Sequence, residues 1–147
     1  MNQKFISMLL LAVLMAFTLS ACGSQAVVTL EPAAISEVTA YADPMADAVL
    51  TGMQKADYAA FSQYFDAAML KAMDEASMQK MLDTLKGQVG AALSRQAADA
   101  VEVVESNGVK YYAVLYPIAF EKAASGVHLR LVVTAEEPHQ VSGLFFK

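Results

Sequence analysis

The sequence predicts an α+β domain in which helices pack on one face of an antiparallel sheet of about four strands. Three observations predict it. Between residues 43 and 90 apolar side chains recur every three or four positions, whereas beyond Gly90 they fall in alternating runs rich in β-branched and aromatic residues. Hairpin signals, led by Asn107-Gly108, separate those runs. Helices come first and strands second, which is not the alternation of a parallel sheet.

Asp43-Pro44 is expected to open the first helix, with the aspartate as N-cap and the proline at the first helical position. Met45, Val49 and Met53 follow at helical spacing, and Asp47 falls in the first turn, where a carboxylate suits the helix dipole. Asp57 is expected to cap a second, short helix carrying Tyr58, Phe61, Tyr64 and Phe65. Asp66 starts a third through Met69, Leu70 and Met73. A longer helix is predicted from about Glu75 to Gln88, with Met78, Met81, Leu82, Leu85 and Val89 on one stripe and Gly87 and Gly90 marking its end.

The segment from Ala91 to Ala100 is ambiguous, and Val101 to Glu105 is β-prone. Asn107-Gly108 favours a type I′ turn into a strand from Val109 to Glu121, where Pro117 calls for a bulge or an edge position. Ser125-Gly126 is expected to turn the chain again. Val127 to Val133 then alternates as a half-buried strand, Glu136 to His139 turns, and Val141 to Phe146 forms the last strand.

Ahead of this domain stands a leader. Lys4 precedes an apolar run from Phe5 to Phe17, and small residues follow it. The run is shorter than the roughly 18–20 residues that span a bilayer core. Leu19-Ser20-Ala21-Cys22 resembles the lipobox of bacterial lipoproteins, and Cys22 is the single cysteine of the chain. The resemblance implies cleavage before Cys22 and a lipid on its sulfur, each buried CH₂ contributing about 0.8 kcal/mol to membrane attachment. The organisation expected is therefore a signal peptide over residues 1–21, a lipidated flexible tether over 22–42 and one domain over 43–147. Its location would be the extracytoplasmic side of a bacterial membrane. Fifteen acidic against ten basic residues give a net charge of −5. That balance argues against nucleic acid and against electrostatic attachment to anionic lipid.

The order of motifs also resembles a bacterial family of unknown function with a nuclear-transport-factor-2-like, or cystatin-like, cone fold. The likeness rests on Tyr64-Phe65-Asp66, Gly87-Gln88-Val89-Gly90, Asn107-Gly108 and Val141-Ser142-Gly143-Leu144-Phe145-Phe146. It covers roughly Pro44 to Lys147. The chain departs from the family's usual Asp-Gly-Lys turn, having Glu136-Glu137-Pro138-His139-Gln140 in its place. The family supplies no established catalytic residues. Its members stand as tethered or secreted domains or precede a hydrolase, which implies a non-enzymatic module that binds a ligand or a partner.

Relatives of the cone fold that do catalyse need a carboxylate base and a buried hydrogen-bond donor. Asp66 with Tyr112 or Tyr116 is the pair this sequence offers, although Asp66 also has a capping role available. Tyr64, Asp66, Tyr112, Tyr116 and Phe120 are thus the candidate pocket or interface residues. His128 and His139 lack the spacing of a zinc site, and neither a nucleophile elbow nor a phosphate loop occurs. No cofactor is expected. Met69 with Met73 and Met78 with Met81 fall one turn apart, so a Cu(I) carrier is a third reading beside ordinary core packing. Finally, residues 109–121 are apolar on both faces, so the face left open by the helices is a candidate surface for a homodimer or an envelope protein.

Overall fold

A computed structural model describes residues 28–147. Cys22 and the leader lie outside these residues. The domain is α+β, with its helices on one face of an antiparallel sheet. In chain order the elements are β1 (Val28–Thr29), α1 (Pro32–Lys55), α2 (Tyr58–Phe61), α3 (Ala67–Ala72), α4 (Glu75–Gln88), β2 (Ala92–Arg95), β3 (Ala100–Ser106), β4 (Val109–Phe120), β5 (Ala123–Thr134) and β6 (Val141–Phe146). The sheet runs β1-β3-β4-β5-β6, with β2 also paired to β4. Four long strands match expectation, and β1 and β2 add two short ones.

The first helix begins twelve residues earlier than Asp43-Pro44 predicts. Pro32, not Pro44, occupies its opening, and residues 32–42, expected in the tether, are helical. The reason is visible in the buried stripe Val38, Ala42, Met45, Val49 and Met53, which holds one face against the sheet across Pro44. Burial along that stripe outweighs the hydrogen bond that an internal proline removes. Asp43 and Asp47 consequently sit in mid-helix, where neither caps nor meets the dipole. The helix ends at Ala56, which takes a left-handed conformation.

Other boundaries follow their caps. Asp57 accepts from the amides of Ala59 and Ala60, Asp66 from that of Met69, and Asp74 from that of Ser77. Tyr64 and Phe65 fall outside α2, because Phe65 instead bridges in parallel to Val141. The amide of Val141 donates to the Tyr64 carbonyl at 2.7 Å, and that of Asp66 to the Val141 carbonyl at 3.0 Å. The last strand is thereby sewn to the linker between α2 and α3.

Asn107 and Gly108 both take positive φ, as a type I′ turn requires. Ser125-Gly126 is not a turn. The hairpin closes at Glu121-Lys122, and residues 124–126 form an irregularity in β5, where the register slips opposite Ala119 and Gly126 takes φ +90°. Pro117 lies in the central strand β4 without penalty. Its flank faces the break between β2 and β3, where the Gln96 amide donates to the Pro117 carbonyl, so no donor is asked of the proline.

The core lies between α1 and the even-numbered face of β4. Val114, Tyr116, Ile118 and Phe120 are buried there with Leu129, Leu131 and Val133 of β5. Met45, Met53, Met69 and Met78 are buried in the same core, and Met73 and Met81 pack against it. The methionines fill irregular space between helices and sheet.

Candidate functional site

A cleft of about 250 Å³ opens where the C-terminal end of α1 meets α4. Met53, Gln54 and Ala56 form one wall; Gln79, Leu82, Asp83, Leu85 and Lys86 of α4 form the other. Phe120 and the turn Gly90-Ala91-Ala92 close the bottom. The floor is apolar, with Phe120 and Met53 buried and Leu82 and Leu85 half-buried. The rim is polar and exposed. Gln79 donates to Asp83 at 3.2 Å, and Gln54 donates to the Leu93 carbonyl at 2.7 Å.

The α4 stripe explains why the cleft exists. Of its predicted apolar positions only Met78 is fully buried, while Met81, Leu82, Leu85 and Val89 remain partly uncovered. Gly90 shapes the bottom: its φ is +85°, and a Cβ there would meet the Glu121 Cβ at 2.8 Å. The Glu121 carboxylate accepts from the Ala91 amide at 2.9 Å and fixes the turn.

One wall depends on a polar cluster. Asp43 and Asp47 stand one turn apart on α1 and both face Arg95 of β2. The guanidinium grips Asp47 through two bonds, at 2.6 and 3.0 Å, and lies 3.6 Å from Asp43. The hydrogen bond to Asp47 holds Arg95 more firmly protonated than usual. Arg95 also lies over the Tyr116 ring, 4.9 Å from its centroid. The buried Tyr116 hydroxyl donates to Asp43 at 2.9 Å. Burial, and then this bond, push the Tyr116 pKa far above its ordinary value. The cluster clamps β2 to α1 beside the cleft but does not line it.

The sequence-predicted residues therefore part company. Tyr116 and Phe120 lie in the core, Phe120 reaching the cleft floor. The Asp66 carboxylate is engaged by the Met69 amide and the Ser142 hydroxyl. Among the described residues no hydrogen bond joins Asp66 to Tyr112 or Tyr116; the partner of Tyr116 is Asp43. Tyr64 is half-buried against the core and contributes its backbone to the β6 seam. Tyr112 is half-buried under the Lys110 ammonium, 5.0 Å from its ring centroid. Arg95 was missed because it sits in the ambiguous segment 91–100. Its signal was the pair Asp43 and Asp47, like charges one turn apart with no basic residue one turn away on the same helix.

The opposite, open face of the sheet is not bare. Arg130 and Glu102 pair at 3.4 Å, and His128 and Asp99 at 3.0 Å. Both pairs span β4, over Ala113, Leu115 and Pro117. Ala113 is fully buried on that side, while Phe145 and Val109 are exposed. His139 stacks on Tyr41 with ring centroids 3.7 Å apart. Among the described residues no three acidic, histidine or cysteine side chains gather as a metal site would need.

No family model, curated protein or solved structure matches this chain.

Proposed function

We propose that this chain is a bacterial lipoprotein held by lipid on Cys22 at the extracytoplasmic side of a membrane, and that its domain is a non-enzymatic module binding a small ligand in the α1–α4 cleft. In this reading the domain is of the nuclear-transport-factor-2-like kind that its motif order resembles. Among the described residues no helix is long and apolar enough to cross a membrane.

The observation that carries the reading is the make-up of the cleft. Its floor of Met53, Leu82, Leu85 and Phe120 is apolar, and its hydrogen-bonding groups stand at the rim. Ligand sites have this composition: apolar walls give affinity and a few polar groups set orientation. Among the described residues the hydrogen-bonded carboxylate–tyrosine pair, Asp43 with Tyr116, is tied to Arg95 and lies outside the cleft. The open sheet face is the weaker candidate, since the Arg130–Glu102 ion pair and the His128–Asp99 hydrogen bond already span its centre.

Titration with the amphiphilic dye anilinonaphthalene sulfonate tests the assignment. The wild-type chain is expected to bind one dye saturably with a blue-shifted emission. Leu82→Arg, which places a charge over the floor, is expected to weaken binding about tenfold, about 1.4 kcal/mol. Phe145→Ser on the open face is expected to leave it unchanged. The reverse pattern would move the site to the sheet.

A further inference from the structure

The two ends of α1 do different things. At its N-terminal end, β1 pairs antiparallel with β3 through Val28↔Val103 and Thr29↔Glu102, and the helix starts three positions later at Pro32. The chain coming from Cys22 is thus fixed to the body there. At the other end, Met53, Gln54 and Ala56 line the cleft.

Two rulers measure the separation. A helix rises 1.5 Å per residue, so Met53 lies roughly 31 Å along α1 from Pro32. On the sheet, Val28 is level with Tyr112, because both pair with Val103, and Phe120 at the cleft floor is eight residues farther along β4. At about 3.3 Å per residue that distance is roughly 26 Å. Cys22 stands six positions before Val28. Even fully extended, that stretch covers at most about 21 Å. The backbone of Cys22 therefore falls short of the cleft and, since β1 runs parallel to β4, the chain leads back from Val28 towards the opposite end of the sheet.

The rim points the same way. Gln54, Gln79, Asp83 and Lys86 surround the opening with hydrated groups, and among the described residues none of the large exposed apolar side chains, Leu70, Leu93, Val109 and Phe145, lines it. A mouth that drew lipid out of a bilayer would need apolar side chains at its lip to enter the headgroup boundary.

We infer that the cleft opens at the pole turned away from the anchoring bilayer, and that its ligand is a water-borne amphiphile rather than a lipid of that bilayer. The apolar part of the ligand lies on Phe120, Met53 and Leu82, and its polar head meets Gln79, Asp83 and Lys86. The inference rests on the tethered-module reading above.

Energy transfer from the acylated full-length chain on phosphatidylcholine vesicles tests it. With Cys22 acylated, a second cysteine can be labelled selectively at Ala33→Cys, near the start of α1, or at Lys55→Cys, near the cleft; both positions are exposed. With an acceptor dye on the lipid headgroups, transfer from position 33 is expected to exceed that from position 55 about threefold, given their roughly 30 Å separation along the helix. Equal transfer, or stronger transfer from position 55, overturns the inference and leaves the module reading standing. Flotation of the chain with vesicles, and its loss in Cys22→Ser, checks the tether separately. A wild-type chain that does not float removes both.

Discussion

The two faces of β4 carry side chains of nearly the same chemistry and meet opposite fates. On the helix-covered face Val114, Tyr116, Ile118 and Phe120 are at most 2 % exposed. On the open face Tyr111, Leu115 and Pro117 are half-exposed, and only Ala113 is fully covered. The difference comes from what lies opposite. One side meets a 24-residue helix with a continuous apolar stripe, the other only the Arg130–Glu102 ion pair and the His128–Asp99 hydrogen bond. Alternation along a strand thus tells which residues share a side, whereas burial is decided by elements far away in the chain.

Truncation should break this symmetry most sharply on the covered side. Phe120→Ala is expected to cost about 3–5 kcal/mol, because the ring is fully buried between the core and the cleft; the shift of a urea midpoint measures it. Tyr116→Phe keeps the packing and removes only the hydroxyl. A loss of about 1 kcal/mol is expected, since Asp43 is partly exposed and water can replace the bond. On the open face, Arg130→Ala should cost no more than about 0.5–1 kcal/mol, and high salt should narrow the gap to wild type.

The smallest effect concerns pH. Burial, followed by the neighbouring Tyr112 and Glu37, pushes Tyr41 up to about 12 from an ordinary value of 10.0. A folded pKa above the unfolded one means the proton is held better in the folded state. Its contribution is therefore full below pH 10.0 and is lost as pH rises towards about 12. Tyr116, pushed up further still, extends the same loss to higher pH. Tyr41→Phe should flatten the part of the alkaline stability curve between those two values, followed by circular dichroism. Because Tyr41 is only part-buried, the step should be modest.

Much of the fold could be read from local chemistry. Asp57, Asp66 and Asp74 cap because a short carboxylate before an apolar repeat has an amide to meet within three residues. Asn107-Gly108 turns because both positions tolerate positive φ. Readings failed where distant packing overrode a local signal. Pro44 looks like a helix start, yet the stripe from Val38 to Met53 carries the helix through it. Ser125-Gly126 looks like a turn, yet pairing with β4 makes it an irregularity within a strand. The candidate site was less legible. Leu82 and Leu85 read as core because a helical stripe says nothing about whether a partner covers it, and the cleft is the place where the partner is missing. Asp43 and Asp47 read as a cap and a first-turn charge, and only the fold shows that they share Arg95.

The seam between residues 64–66 and 141–142 has a consequence for biosynthesis. Synthesis is vectorial, so for some 75 residues the Tyr64 carbonyl and the Asp66 amide wait for partners not yet made. A product truncated before Val141 keeps every helix cap and the β3–β4 hairpin, yet leaves this stitch open and the flank of β5 bare. Such incomplete chains would show proteases an unpaired strand edge beside Phe65, and so be sorted from finished molecules by their susceptibility to cleavage.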